Sequence, residues 1–347
     1  MIDVFGTIGP SCSSKETLTE MFRAGMTGVR LNLSHISLRE SAEQIERLHA
    51  AARAAGVRPA FLIDLQGPEL RIGRMKEALA LREEQKVVLA CEKMEERDRL
   101  KYVRDGTPVI PVPEAVCSPL EKGMSVLLDD GRISLRIAEG RGDHAEAEVF
   151  RGGILTGRKS VKVPGLDIWM PTMTHADIEN IRDAVSFNVT GIMQPFVRNE
   201  EDLMTVHRIL WENGGSHLRV IAKIENRAGM AKIGSLLPHC DGICIARGDL
   251  GSDMQLWELP EAQKFISDAC RSYPRHFIVA TQMLTSMIDC AVPTRAEVND
   301  IFNTVLDGAS GVMITGESAV GKYPVEAIRY LAYTAQSAER YREKVRK

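Results

Sequence analysis

The sequence predicts an α/β protein that forms a closed (β/α)8 (TIM) barrel with a β-rich domain inserted after the third strand. Short apolar runs recur along the chain, and amphipathic stretches such as residues 38–55 and 200–212 separate most of them. This alternation is typical of parallel strands joined by crossover helices, and eight strands are the number that closes such a barrel. The predicted barrel strands are residues 4–8, 28–33, 60–65, 191–193, 219–224, 242–246, 277–280 and 311–314.

The interval from residue 72 to residue 164 breaks this alternation. Its apolar runs are short and are separated by turn signals such as Asp129-Asp130-Gly131, a typical hairpin turn. The strand-like runs are residues 86–89, 125–128, 133–137 and 145–150. We therefore predict a barrel domain of residues 1–71 and 165–347, and an inserted β-barrel lid domain of residues 72–164. After the insertion the barrel pattern continues to a last helix that starts at Pro324, a favoured first-turn position.

Composition and charge restrict the class of protein. With 44% hydrophobic and 26% charged residues, the 347-residue chain has the composition of a soluble globular protein. A net charge of -3 gives no electrostatic reason to expect a nucleic acid or an anionic membrane as partner. No apolar run is long enough for a membrane span, and residues 1–5 lead into a strand without a signal peptide. Together with seven cysteines that form no CxxC pair, this favours the cytoplasm.

The most informative residues are Lys223 and Glu225, at the end of the fifth predicted strand. Side chains two residues apart on a strand project to the same side, and Asp249 follows the next strand. Buried charges are costly unless they meet a metal, a substrate or each other. In a barrel, the chemistry lies where strands end and loops begin. The pattern therefore predicts a divalent-metal site with a cation beside it.

Other strand ends also carry polar side chains. Arg30, Asn32 and Ser34 alternate onto one face, which provides a cation and two oxygen ligands. Taken alone these residues are weak signals, since Asn32 and Ser34 are equally typical of turns and helix caps. Their coincidence at five strand ends favours a site. The remaining polar groups at these ends are Asp64, Thr281 and Glu317.

Several short motifs resemble those of the pyruvate kinase family. They occur in the family's order, span essentially the whole chain and leave the inserted domain in its expected place. The motifs are residues 7–11, 30–35, 67–71, 222–226, 246–251, 280–284, 286–287, 293–297 and 316–317. The resemblance implies a metal-dependent phosphotransferase that stabilises an enolate and moves a phosphoryl group between phosphoenolpyruvate, or a close analogue, and ADP.

The resemblance also implies a role for individual residues. Glu225 and Asp249 would bind Mg²⁺ or Mn²⁺, and Lys223 would stabilise the transferring phosphoryl group and the enolate. Thr281 would orient the substrate and a proton-relay water, next to Gly248 in the substrate site. The residues that match the family's K⁺ site are Asn32, Ser34, Asp64 and the Leu65 carbonyl. Arg30 and Arg71 would hold phosphate, and His35, Lys159 and Glu317 would lie near a nucleotide.

The sequence departs from the family pattern around the expected nucleotide and substrate pockets. Gln66 replaces a lysine, Ile36 replaces a glycine, and Pro195 replaces a serine. The segment 254–257, which ends in Trp257, replaces Ile-Pro-Ala-Glu. The chain stops at Lys347, after the eighth barrel helix, so a C-terminal regulatory domain is not expected.

These departures leave more than one hypothesis open. The first is the phosphotransferase, with a small phosphorylated substrate, ADP or ATP, and a homo-oligomer that pairs through the barrel. The alternative is a metal-dependent lyase or aldolase, which would act on a phosphorylated keto acid or ketose through the same enolate centre without a nucleotide. A third hypothesis, a non-catalytic metabolite-binding relative, is disfavoured because Lys223, Glu225 and Asp249 are all retained.

Overall fold

Eight parallel strands close into a barrel, as the sequence predicts. The computed structural model describes residues 2–34, 36–91, 93–129, 131–166, 168 and 170–345. The sixteen strands of this part of the chain are β1 (Asp3–Thr7), β2 (Gly28–Asn32), β3 (Ala60–Asp64), β4 (Leu79–Leu81), β5 (Lys86–Ala90), β6 (Val109–Pro111), β7 (Ser125–Leu128), β8 (Ile133–Gly140), β9 (His144–Arg151), β10 (Gly153–Leu155), β11 (Val161–Lys162), β12 (Gly191–Gln194), β13 (Arg219–Ile224), β14 (Gly242–Ala246), β15 (His276–Ala280) and β16 (Gly311–Ile314). The barrel order is β1-β16-β15-β14-β13-β12-β3-β2, so the predicted (β/α)8 fold is confirmed.

Helices follow most of the barrel strands. In the described residues they are α1 (Lys15–Arg23), α2 (Ala42–Ala55), α3 (Glu96–Arg104), α4 (Glu114–Cys117), α5 (His175–Ala184), α6 (Glu200–Glu212), α7 (Arg227–Ala231), α8 (Ile233–Leu236), α9 (Arg247–Gly251), α10 (Leu259–Ser272), α11 (Arg295–Leu306), α12 (Gly316–Ala319) and α13 (Pro324–Val345). None of them is both long and apolar enough to cross a membrane. Short 3-10 turns occupy Pro10–Cys12, Leu237–His239 and Thr285–Ile288.

Local sequence signals explain where several helices begin. In α5, Thr174 and Asp177 form a capping box in which each side chain accepts a hydrogen bond from the other residue's backbone N–H. Thr294 and Glu297 do the same at α11. These reciprocal bonds satisfy N–H groups that the first helical turn leaves without partners. They fix the residues at which α5 and α11 begin.

The chain divides into two compact units. The barrel unit contains residues 1–67, 171–251 and 255–347, and the inserted unit contains residues 68–170 and 252–254. The boundaries that we predicted at residues 71/72 and 164/165, and the role of the insertion as a lid, stay predictions.

Within the inserted unit, a six-stranded sheet has the order β11-β7-β8-β9-β5-β6, and β10 pairs with β4. Its core is apolar: buried side chains from these strands and from α4 form one large cluster, and a smaller cluster lies around Val88. Leu89, Ile110, Val126 and Leu128 are fully buried in the large cluster. The short strands that we predicted from apolar runs and turn signals thus supply buried side chains to this core.

Inside the barrel, apolar and polar layers succeed each other along the strands. Phe5, Leu62, Ile221 and Ile278 belong to the buried interior cluster. Two residues further along three of these strands lie the polar residues Thr7, Asp64 and Lys223, because interior positions recur every second residue. The interior therefore becomes polar towards the carboxyl ends of the strands, where barrel enzymes place their chemistry.

Candidate active site

Lys223 lies at the centre of a buried cluster of charges. Its Nζ is 2.8 Å from Oε1 of Glu225 and 3.1 Å from Oδ1 of Asp64. The two carboxylate side chains are 1–2% exposed, and that of Lys223 is 12% exposed. Lys223 lies on β13 and Glu225 follows the last residue of this strand, and the two-residue spacing does place both side chains on the same side, as predicted. Asp64 reaches the same ammonium from the end of β3.

Asp64 also joins Lys223 to Arg30. The Arg30 guanidinium donates from Nε and Nη2 to Oδ2 of Asp64, at 2.8 and 2.6 Å. Its Nη1 donates to the Thr7 hydroxyl at 3.2 Å, and this hydroxyl donates to the Ile314 carbonyl at 3.0 Å. Arg30 and Asp64 are paired with each other, although we expected them to serve separate phosphate and K⁺ sites. The hydrogen bonds orient both groups on the barrel interior.

The charges in this cluster stabilise one another's ionised forms. Burial by itself lowers the pKa of Lys223, but the carboxylates of Asp64 and Glu225 outweigh it, and the pKa is raised above its ordinary value. Asp249 acts in the same direction. Burial by itself raises the pKa of Asp64, but Lys223 and Arg30 outweigh it, and this pKa is lowered. Lys223 is therefore a fixed positive charge near neutral pH, not a base.

Two carboxylate oxygens of the cluster face the Lys223 ammonium. Oδ1 of Asp64 and Oε1 of Glu225 are buried and lie 3.1 and 2.8 Å from its Nζ, so the ammonium compensates both charges. Each carboxylate oxygen has a further lone pair with which it could also bind a cation. The described residues contain no group of three or more His, Cys, Asp and Glu side chains able to hold a metal. Carboxylate oxygens from two residues, completed by substrate oxygens, suit Mg²⁺.

Glu225 is held in place by the backbone of the preceding loop. Its Oε2 accepts a hydrogen bond from the Phe196 N–H at 2.8 Å. Phe196 has a φ of 53°, a left-handed conformation that is uncommon for a residue with a large side chain. One carboxylate oxygen thus serves to fix the side chain, and the other points to the cluster with Lys223.

Thr281 and the loop of Asp249 are joined by a direct hydrogen bond. The Gly248 N–H, in the first turn of α9, donates to Oγ1 of Thr281 at 2.8 Å. The Thr281 hydroxyl accepts this bond and donates none within the described part of the chain. Its proton is available for a water or a substrate oxygen. The structure thus brings Gly248 and Thr281 together, and Asp249 follows Gly248 in α9.

The residues assigned to the monovalent-ion site form local contacts. Oδ1 of Asn32 accepts hydrogen bonds from the N–H and the hydroxyl of Ser34, at 3.2 and 2.9 Å. This is the turn geometry that the alternative interpretation of these residues predicts. Leu65 is buried, and its N–H donates to the Met193 carbonyl at 3.2 Å. Among the side chains proposed for this ion site, Asp64 presents a buried oxygen, Oδ1, which faces Lys223 at 3.1 Å.

Arg71 and Lys159 belong to the inserted unit, where each has its own partners. Arg71 forms an ion pair with Glu69 and donates to the Arg158 carbonyl at 2.9 Å. Lys159 Nζ is 2.6 Å from Oδ1 of Asp129. Their predicted roles in binding phosphate and nucleotide stay predictions.

The other two nucleotide candidates are His35 and Glu317. His35 lies outside the described residues. Glu317 is buried, and its carboxylate accepts hydrogen bonds from the backbone N–H groups of Thr315 at 2.8 Å and Leu284 at 3.1 Å. These bonds join two loops of the barrel unit and account for the burial of Glu317.

The sequence analysis missed two groups that complete this site. Thr7 was noted only as part of a motif, yet its hydroxyl orients Arg30. The Phe196 N–H was not anticipated at all, because a backbone donor leaves no signal in the residue type. The polar residue at an interior position of β1 could have identified Thr7, whereas nothing in the sequence could have identified Phe196.

Comparison with known proteins identifies the family of this chain. Residues 1–328 match the family model described as pyruvate kinase, barrel domain. A pyruvate kinase from Thermococcus litoralis is 38% identical over 98% of this chain and 70% of its own length. Pyruvate kinases from Chlamydia pneumoniae and Geobacillus stearothermophilus are each 35% identical, over 94% and 96% of this chain and 66% and 56% of their own lengths.

The chain therefore spans 56 to 70% of the length of these relatives. The matches cover the barrel strands and every polar strand end described above, and they favour a phosphotransferase over the alternative lyase. The chain belongs to the pyruvate kinase family of phosphotransferases.

Proposed function

We propose that this protein transfers the phosphoryl group of phosphoenolpyruvate to ADP, and that the enolpyruvate left behind is protonated to pyruvate. Phosphoenolpyruvate, ADP and one proton give pyruvate and ATP, so the reaction balances. The observation that carries the proposal is the buried Lys223 ammonium between Asp64 and Glu225, each of which turns a buried carboxylate oxygen towards it. Phosphoryl transfer depends on such positioned charges, because the transferring group is an anion.

Lys223 would neutralise negative charge at two stages of the reaction. Its raised pKa keeps the ammonium protonated, so it can interact with the moving phosphoryl group and with the enolate oxygen as a permanent cation. A preorganised charge in a buried site needs little reorganisation as the reaction proceeds. The raised pKa argues against a role for Lys223 as the proton donor to the enolate.

Glu225 and Asp249 would hold Mg²⁺ or Mn²⁺. When bound there, the divalent ion would neutralise charge on the substrate oxygens. The Phe196 N–H binds Oε2 of Glu225, so Oε1, which faces Lys223, is the oxygen that would bind the ion. Asn32, Ser34, Asp64 and the Leu65 carbonyl would provide oxygen ligands for K⁺, in keeping with the buried Oδ1 of Asp64.

Arg30 and Thr281 would orient the substrate. A guanidinium has five N–H donors, and three of those of Arg30 are used by Asp64 and Thr7. The others would bind a phosphate oxygen. The Thr281 hydroxyl, fixed by Gly248, would direct its proton to a water beside the enolate carbon.

The proposed acceptor is ADP. Glu317 is buried in backbone hydrogen bonds, and Ile36 and Gln66 differ from the family pattern. ADP as the acceptor rests on the family relationship, and Lys159 and His35 remain its candidate ligands.

The test is release of pyruvate from phosphoenolpyruvate in the presence of ADP and Mg²⁺, with and without K⁺. We expect turnover that requires ADP and the divalent ion. Binding of Mn²⁺, followed by its electron paramagnetic resonance signal, should weaken in Glu225→Gln. The control is Glu326→Gln, which changes an exposed carboxylate on α13. No turnover under any of these conditions, or unchanged Mn²⁺ binding in Glu225→Gln, would contradict the proposal.

A further inference from the structure

The turn after β15 has an unusual backbone. Thr281 has a φ of 70° and Gln282 a φ of 55°, so two consecutive residues adopt the left-handed conformation. For a β-branched residue such as threonine this conformation is strained, and it persists only where the surrounding structure holds it. Some contact must therefore stabilise the turn that carries the Thr281 hydroxyl.

The contact comes from Arg247, the first residue of α9. Its Nη2 donates to the carbonyl oxygens of Thr281 and Gln282, at 2.9 and 3.0 Å, and its Nε donates to the Thr281 carbonyl at 3.2 Å. One planar guanidinium thus holds both left-handed residues. A lysine could not reproduce this fork of donors.

The Arg247 side chain is itself fixed. It is 9% exposed, and its Nη1 is 2.7 Å from Oδ2 of Asp300 on α11. Burying an arginine is costly unless it is paired and its donors are satisfied. Both conditions are met here, by one carboxylate and two carbonyl oxygens. These partners hold the Arg247 guanidinium in one position.

The first turn of α9 holds Thr281 in two ways. Arg247 holds its carbonyl, and Gly248 donates to its hydroxyl oxygen. The next residue is Asp249, a proposed ligand of the divalent ion. The position of the Thr281 hydroxyl and that of the Asp249 segment are therefore set by one short piece of backbone.

We propose that Arg247 is a positioning residue of the reaction centre. By binding the carbonyl oxygens of Thr281 and Gln282, it fixes the direction of the Thr281 hydroxyl and its position relative to Asp249. The proposal rests on the proposed function, since it assigns Arg247 to the protonation step that Thr281 serves. Arg247 itself touches neither substrate nor metal in this role.

The first experiment compares Arg247→Met with Arg275→Met in the pyruvate-release assay. Arg275 is the control because it also binds a backbone carbonyl, that of Leu237 at 2.9 Å. It lies directly before β15, at the opposite end of this strand from Thr281. We expect kcat to fall about 10- to 100-fold in Arg247→Met, because small displacements of a reacting group have large effects on rate. The KM for phosphoenolpyruvate should change by less than about threefold, because substrate binding is not the affected step.

Arg275→Met should keep the kcat of the unmodified protein while its thermal stability falls. If both variants lower kcat alike, or if Arg247→Met raises KM and leaves kcat unchanged, the proposal is overturned. Should Arg247→Met fail to fold, Arg247→Lys takes its place. Lysine keeps the charge but cannot bind both carbonyls in the plane of the turn, so a kcat equal to that of the unmodified protein would contradict the proposal.

The second experiment is a double-mutant cycle with Thr281→Ala. If Arg247 acts through Thr281, its replacement should cost little further kcat once the hydroxyl is gone. Losses that multiply in the double variant would show that Arg247 acts elsewhere and would overturn the proposal.

A crystal structure of Arg247→Met separates this proposal from the proposed function. We expect Thr281 to leave the left-handed region, and this result does not depend on turnover. A φ that stays near 70° would overturn the positioning role even in an active enzyme. An unmodified protein that shows no turnover, with a Thr281 turn that collapses in Arg247→Met, would contradict the proposed function alone.

Discussion

The barrel unit and the inserted unit use their interiors differently. In the barrel, several charged side chains are almost fully buried, among them Asp64, Glu225 and Arg247, and each is paired or bound to backbone groups. The inserted unit has an apolar core, formed by a large cluster and a smaller one around Val88. Buried charges are expensive and contribute little net stability. Their concentration at one end of the barrel therefore indicates that this end carries the functional site.

The largest effect that we expect is on catalysis in the barrel. Lys223→Met should lower kcat for pyruvate release about 10³-fold, because it removes a preorganised charge beside the transferring group. Steady-state kinetics measures this effect. Lys264→Met is the control, since Lys264 forms an exposed ion pair with Asp307 on the barrel surface. Comparable losses in both variants would show that the buried cluster has no special role.

The next largest effect is on stability. Asp64→Asn should lower the free energy of unfolding by about 3 kcal/mol, because it leaves Lys223 and Arg30 buried with less compensating charge. Urea unfolding followed by circular dichroism gives the value. A change below about 1 kcal/mol would show that this pair behaves like an exposed one.

In the inserted unit, packing should matter more than charge. Leu135 on β8 is 1% exposed, and Leu135→Ala should lower the free energy of unfolding of this unit by about 2–5 kcal/mol through the lost contacts and the cavity. Ile154→Ala is the matched control, since Ile154 is 71% exposed on β10. Unfolding monitored by hydrogen exchange resolves this unit. Equal effects of the two substitutions would contradict the apolar-core interpretation.

The barrel's buried charges should also make its stability depend on pH. Burial raises the pKa of Asp202, but hydrogen bonds from Arg198 and Thr172 outweigh it, and the pKa is lowered. The stabilisation is complete above the ordinary carboxyl pKa of about 3.9 and is lost as the pH falls through the lower folded value. Unfolding free energies measured between pH 5 and pH 2 should fall less steeply in Asp202→Asn. An unchanged slope would contradict this assignment.

The smallest effect should come from the ion pair of Asp129 and Lys159 in the inserted unit. Lys159 is 39% exposed, so solvent screens the pair. Asp129→Asn should change the free energy of unfolding by less than about 1 kcal/mol, and asparagine tolerates the left-handed φ of 50° at this position. Chemical denaturation is the measurement. A loss as large as that of Asp64→Asn would remove the contrast between the two units.

Much of the fold could be predicted because strand and helix periods are local. The eight predicted apolar runs coincide with the eight barrel strands, and the predicted and observed strand ends agree to within about two residues. The spacing of Lys223 and Glu225 predicted their shared side correctly. In contrast, the pairing of Arg30 with Asp64 could not be predicted, since their residue types equally suit the separate phosphate and K⁺ sites that the family resemblance implied.

The sequence by itself determined where the strands lie, which side chains face the barrel interior, and which types of charge meet at the strand ends. These properties follow from repeats of two and 3.6 residues that any short window of the chain contains. Only the tertiary structure decided which opposite charges pair, how Phe196 fixes Glu225, and how Arg247 holds the turn at Thr281. Those contacts join strands and loops that are distant along the chain, and closure of the barrel alone brings them within hydrogen-bonding distance.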